Sequence, residues 1–295
     1  MAMQVGTAPD SWGVWFPDDP LQPPWQQFMD EVVEAGYDTI EIGPYGYLPT
    51  NHRQLTTELE TRGLGVSAGF FMQHFHKPET WPDLKDSVAE VCSLLAHVGA
   101  KYVLLIPEFY RDIFTGDQIM EAELPEETWS KLIEGTHVLA ELIASEWGLR
   151  AVFHPHAETP VEYEYQIERF LADTEPDLVG LCLDMGHHAY RGGDVPEFVR
   201  DHHERLEYIH LKSVDARVRE RVEAENIPFA RACEMDVFVE PEIGVIDFVE
   251  VRRALDEVGF DGFGIVEQDL YPTPIERPLP IAKRTRRYLE EIGIG

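Results

Sequence analysis

Short runs rich in Val, Ile and Leu alternate along the chain with stretches of helical length whose apolar residues recur every three or four positions. That alternation is the pattern of βαβ units whose strands are buried on both faces. It predicts strands at Gln4–Ala8, Thr39–Ile42, Gly65–Ala68, Tyr102–Ile106, Ala151–Phe153, Gly180–Leu183, Tyr208–Leu211 and Gly264–Val266. Helices are expected near Trp25–Ala35, Gln54–Arg62, Asp83–Val98, Glu126–Glu146, Tyr165–Asp173, Pro196–His202, Phe248–Val258 and Pro280–Ile292. Gly36, Gly63, Gly99, Gly148 and Gly259 each fall just after a helical stretch and just before a strand, where a left-handed cap is expected. Eight strands, each followed by a helix, is the count for an α/β protein closed as a single (β/α)₈ TIM barrel. No linker divides it, so residues 1–295 read as one domain.

One connection breaks the rhythm. Ser213 to Gly244 is far longer than an ordinary βα loop and contains helical pieces at Asp215–Glu225 and Phe229–Glu234. Long βα loops on barrels form lids; an inert insertion is the plainer alternative.

Composition narrows the function classes. With 55 Asp+Glu against 24 Lys+Arg the net charge is −31, which repels phosphate backbones and sets nucleic acid aside as a partner. No apolar run reaches the length of a membrane span, and the first residues lack a basic segment followed by an apolar one, so a cytoplasmic location is expected. The three cysteines, Cys92, Cys182 and Cys233, are scattered without a CxxC pair and read as small core residues. No phosphate-binding glycine loop occurs, so no nucleotide cofactor is expected.

A barrel carries its active site at the C-terminal strand ends. Glu41 ends the second predicted strand, Glu108 follows the fourth, His154-Pro155-His156 the fifth, Asp184 the sixth with His187 and His188 after it, His210 and Lys212 the seventh, and Glu267-Gln268-Asp269 the eighth. Buried carboxylates converging on one mouth need a partner, and a divalent cation supplies it. An oxygen-rich set with one imidazole suits Mn²⁺ first, then Co²⁺ or Mg²⁺.

Leu183-Asp184-Met185-Gly186-His187, His210-Leu211-Lys212 and Val266-Glu267-Gln268-Asp269 resemble the last three strand ends of the xylose isomerase-like sugar isomerase/epimerase superfamily. Ala8-Pro9-Asp10-Ser11-Trp12-Gly13 and His154-Pro155-His156 are similar to motifs of inosose (2-keto-myo-inositol) dehydratases within it. The resemblance implies one metal held by Glu, Asp, His and Glu: Asp184, His210 and Glu267, with Glu162 as the first ligand and Glu158 its competitor. The chain departs from the pattern at Ser213, where many relatives have Asp, and at Pro241-Glu242-Ile243-Gly244.

A metal on a ketone oxygen and a neighbouring hydroxyl polarises the carbonyl and stabilises an enediolate, while a nearby carboxylate or imidazole moves the α-proton. Glu162 and Glu267 are the expected acid/base ligands, with His156 and His187 as proton shuttles or hydroxyl contacts. Lys212 is a candidate to hold an oxyanion, Glu41 and Glu108 to bind hydroxyls, and Trp12 to stack on a sugar face. The leading expectation is a metal-dependent isomerase or epimerase of a small keto-sugar or polyol ketone. Its rival is a lyase of the inosose dehydratase type, or a metal-assisted elimination on a 3-keto-glycoside. A DNA-repair endonuclease on the same barrel needs a basic groove that this composition lacks, and a non-catalytic barrel has no use for a costly carboxylate cluster. Such barrels often form homo-oligomers, but no sequence feature marks an interface.

Overall fold

The computed structural model describes residues 3–295; Met1 and Ala2 of the expected domain lie outside them. The first half runs β1 (Gln4–Thr7), α1 (Trp25–Ala35), β2 (Thr39–Glu41), α2 (His52–Arg62), β3 (Gly65–Gln73), α3 (Trp81–His97), β4 (Tyr102–Pro107), α4 (Glu126–Trp147) and β5 (Arg150–Phe153). Next come α5 (Glu164–Asp173), β6 (Val179–Asp184), α6 (Met185–Tyr190), α7 (Val195–His202) and β7 (Leu206–Leu211). The long connection holds β8 (Ser213–Val214), α8 (Ala216–Glu225), α9 (Phe229–Glu234) and β9 (Phe238–Val239), before α10 (Phe248–Val258), β10 (Phe263–Val266) and α11 (Pro278–Ile292).

Eight parallel strands close into a barrel in the order β1-β10-β7-β6-β5-β4-β3-β2, with β1 pairing β10 on one side and β2 on the other. Side chains alternate across each strand, so one set fills the barrel and the other meets the helices. Ala8, Ala68, Leu104, Val152, Cys182 and Tyr208 pack the interior, and all are fully buried. Outside, Phe153 of β5 stacks on Phe170 of α5 with ring centroids 3.7 Å apart. All five glycines expected after helices adopt positive φ, from 66° at Gly148 to 92° at Gly36.

Three features differ from the sequence reading. β3 does not stop at Ala68 but pairs with β4 as far as Gln73 opposite Pro107. Phe70, Phe71 and Met72 are therefore strand residues: Phe71 packs outward near Phe75, while Phe70 and Met72 line the barrel mouth. The short α6 starts directly at Asp184, whose side chain accepts from the His187 amide; the six-residue helix is too brief to show a period. The long connection also contains an antiparallel ladder, Ser213 opposite Val239 and Val214 opposite Phe238.

That connection folds down over the mouth. Phe229 of α9 is 2% exposed and lies 5.0 Å, ring to ring, from His156. The Ala230 amide donates to the Ile113 carbonyl at 2.9 Å, and the Arg111 guanidinium donates to the Ile227 carbonyl at 3.1 Å and to the Asn226 side chain at 2.9 Å. Arg111 also pairs with the buried Glu158, so one side chain ties the β5 loop to the cover. Glu158 occupies φ 62°, a left-handed conformation that costs a non-glycine residue.

Candidate active site

The floor of the mouth is built by late strand ends. Asp184 Oδ2 lies 3.2 Å from His210 Nδ1 and 2.7 Å from Lys212 Nζ. Glu267 Oε2 is 2.9 Å from His210 Nδ1 and 2.9 Å from Lys212 Nζ. Asp269 Oδ2 makes a third contact to that ammonium at 2.9 Å. Lys212 is completely buried, and its stem passes so close to α6 that a Cβ on Gly186 would stand 2.3 Å from Lys212 Cγ. The Asp-Met-Gly-His sequence thus lets the lysine reach the carboxylates.

Below this floor Glu41 occupies a role different from the expected hydroxyl contact. His210 Nε2 donates to Glu41 Oε1 at 2.9 Å, and the Tyr208 hydroxyl donates to the same oxygen at 2.8 Å. Glu41 therefore orients the imidazole and leaves Nδ1 facing Asp184 and Glu267, an arrangement typical of a supported metal-ligating histidine.

His154, at the end of β5, joins the cluster. Its Nδ1 lies 2.8 Å from the Pro155 carbonyl, an acceptor, so the proton sits on Nδ1 and Nε2 is bare. That bare nitrogen faces Asp184 Oδ2 at 3.8 Å. Two acceptors directed at one another in a buried place call for a cation between them. Ligand atoms of His154, Asp184, His187 and Glu267 all lie within 4.8 Å of one another, as do those of Glu41, His210 and Glu267. The charges agree: Asp184, Glu267 and Asp269 surround one lysine, Lys212, while Glu41 pairs with His210. The donor set fits a divalent cation.

Glu162, expected as the first ligand, is not brought to this cluster. Its Oε2 accepts from Arg191 Nε at 2.6 Å and from the Glu158 amide at 2.7 Å. Its competitor Glu158 pairs with Arg111 instead. Both acids follow β5 by several residues, and the loop carries them toward arginines at its rim; the strand end itself presents His154. Trp12 is also elsewhere: it is fully buried, donates to Glu31 at 2.8 Å and packs edge-on against Phe28. Glu108 sits half-buried outside the cavity lining, and burial raises its carboxyl above the usual range.

His156 and His187 do reach the site, their rings 3.8 Å apart. His156 Nδ1 faces the Ala157 carbonyl at 2.8 Å, so its Nε2 is also bare. Above the floor is a cavity of about 190 Å³ lined by His154, His156, Glu267, Asp269, Asp10 and a belt of apolar side chains. Asp10 and Asp269 stand beside strand ends in the sequence, and it is the fold that brings both to this cavity. A wider surface groove, about 670 Å³, runs between the α6–α7 turn and the start of α10 and contains none of these groups.

Electrostatics divide the titratable groups. Burial opposes ionisation of Asp184, yet Lys212 and His210 hold its carboxyl below the usual range. The same two partners overcome burial at Glu267 and hold it well below. Burial raises Asp10 well above the carboxylate range, and Glu267, Asp269 and Glu41 push it further. Burial presses two of the imidazoles toward neutrality, taking His154 down to about 4 and His156 to about 3, with a neighbouring histidine adding to each, whereas the acids around His210 raise it against burial. One cavity therefore holds an acid pushed toward its protonated form and bare imidazole nitrogens over carboxylates pushed toward ionisation.

Comparison with known proteins agrees with this architecture. An inosose dehydratase of Geobacillus thermodenitrificans is 29% identical over 300 residues, spanning 98% of this chain and 97% of that protein. Another, from Bacillus licheniformis, is 30% identical over 268 residues, spanning 90% and 87%. Among solved structures, the probable 3-DHS dehydratase AsbF of Bacillus anthracis superposes with a TM-score of 0.74 at 13% identity, covering 98% of this chain and 99% of that one. D-psicose 3-epimerase of Clostridium cellulolyticum H10, with D-tagatose, gives 0.73 at 13% identity over 98% and 99%. The zinc-bound IolI protein gives 0.69 at 20% identity over 98% and 98%. At such identities these structures speak to the fold alone. The family model described as xylose isomerase-like TIM barrel matches residues 29–292, and the chain belongs to that family of enzymes.

Proposed function

We propose that the chain is a carbon–oxygen lyase that removes water from a β-hydroxy ketone of the keto-polyol class with the help of one divalent cation. The observation that carries this reading is the meeting, in one cavity, of the Asp10 carboxyl, whose hold on its proton is strengthened by burial and the neighbouring carboxylates, and the His156 imidazole, whose Nε2 is bare. Groups whose proton affinities are pushed apart in a shared site mark a donor and an acceptor. Dehydration needs both: the α-proton leaves to His156, and the departing β-hydroxyl takes a proton from Asp10. Epimerisation, the leading expectation from sequence, asks for an acceptor on each face of the α-carbon. Glu162, the residue expected to supply one of them, is engaged by Arg191. The full-length similarity to proteins named inosose dehydratase points the same way.

His154, Asp184, His210 and Glu267 would hold the cation, which when bound withdraws charge from a ketone oxygen and acidifies the adjacent C–H. Two nitrogens beside two carboxylates move the preference away from Mg²⁺ toward Mn²⁺, Co²⁺ or Zn²⁺. Lys212, which its three carboxylate neighbours keep protonated against burial, steadies negative charge that develops above the floor. Phe229 and the cover keep water from the reacting carbons.

The test is incubation of the Mn²⁺-loaded protein with 2-keto-myo-inositol and a panel of ketoses in D₂O, followed by proton NMR and ultraviolet absorption. Loss of water with a rising enone band is expected. Inverted configuration without water loss would transfer the assignment to the epimerases, and no exchange with any ketone would remove both.

A further inference from the structure

A fully hydroxylated keto-polyol carries a hydroxyl on nearly every carbon, and each must find a partner when the ligand leaves water. The cavity offers partners at one end only. Its polar side chains, Asp10, His154, His156, Glu267 and Asp269, all belong to or border the floor. The rest of the lining is apolar and comes from several directions. Trp15 and Phe16 approach from the β1 loop, and Phe70 and Met72 from the end of β3. Ile106 and Phe109 stand on the β4 side; Ile113 and the cover's Phe229 close the remainder. Among the described residues no Ser, Thr, Asn or Gln side chain lines the cavity, and the Trp15 indole N–H is the one side-chain donor in the apolar belt.

Aromatic stacking on the C–H face of a sugar would need one such surface. Here apolar groups enter from the β1, β3 and β4 ends and from the cover, so a ring seated in the cavity would meet them at its edges, where hydroxyls project, as well as at its faces. The volume, about 190 Å³, equals the liquid share of roughly six waters and admits one ring or a short chain. We infer that the substrate is a compact hydroxy ketone with a polar end on the floor and a hydroxyl-poor far end against this belt, a deoxy or methyl-bearing member of its class. The orientation rests on the proposed function; the apolar belt stands independently of it.

The experiment uses matched pairs differing in one hydroxyl: D-fructose and 6-deoxy-D-fructose, L-fructose and L-rhamnulose, and 2-keto-myo-inositol and a mono-deoxy analogue. Binding to the Mn²⁺-loaded protein is read by calorimetry, and deuterium exchange at the α-carbon by NMR in the same samples. A buried hydroxyl left without a partner weakens binding by about tenfold or more. The deoxy member of a pair should therefore bind about tenfold tighter, and Ile113→Asn, on a half-exposed loop, should shrink that preference. Equal or tighter binding of the fully hydroxylated member in every pair overturns the inference, whether or not exchange occurs. So does failure of every ketone to bind. A preference for deoxy ligands without exchange upholds the inference and removes the lyase reading instead.

Discussion

Glu41 holds His210 from below, and the rest of the floor depends on that imidazole keeping Nδ1 toward Asp184 and Glu267. Glu41→Gln keeps the shape but exchanges a strong acceptor for a neutral one. Removing support of this kind from a ligating histidine costs about 10–100-fold in metal affinity, so titration with Mn²⁺ should show a loss of that size; unchanged affinity would exclude the supporting role. A second residue carries a pH dependence. His188 is 3% exposed, and burial takes its imidazole down to about 4 from an unfolded value of 6.5. Between those two values the unfolded chain binds the extra proton, so stability is complete above pH 6.5 and declines as pH falls toward 4. The contribution is at most about 3 kcal/mol at 1.36 kcal/mol per unit. Urea unfolding at several pH values should show a slope over this range that is shallower in His188→Phe, the remainder coming from His154 and His156.

The cover is the element whose attachment can be tested. Arg111 alone links Glu158 to residues 226 and 227. Arg111→Met would leave a buried carboxylate unpaired, a loss of about 3–5 kcal/mol, and amides of α8 and α9 should then exchange with solvent faster. Adding Glu158→Gly should recover much of this, because glycine accepts φ 62° without strain and brings no charge. Protection that is identical in all three proteins would mean the arginine holds nothing. Strands, helices and the cover were legible in the sequence because each repeats a period or follows a recognisable stop. The cluster was legible where it sits on strand ends: Asp184, His210, Lys212 and Glu267 lie together in the folded chain. It was illegible where a loop decides direction. Glu162 and Glu158 have the right chemistry, but it is the folded loop that hands them to Arg191 and Arg111. His154 was visible, yet its ligand-like character depends on a backbone carbonyl that fixes its tautomer.

At the scale of the whole molecule the net charge of −31 is the dominant electrostatic fact. Self-repulsion of that size opposes compaction and is screened as the Debye length falls from about 30 Å at 0.01 M salt to about 3 Å at 1 M. The unfolding midpoint should therefore rise with added NaCl. A midpoint that falls instead would mean that surface ion pairs such as Arg200 with Glu250 and Glu257 outweigh the repulsion.

The ring of strands closes through β1 and β10, which join residues 4–7 to residues 263–266. During synthesis the first strand emerges long before its second neighbour exists. One of its edges stays open until residues 263–266 have been made, and that edge is closed by a contact between residues far apart in sequence, a late step. Loss of residues 263–266 would accordingly harm residues 4–7 as much as the missing ones.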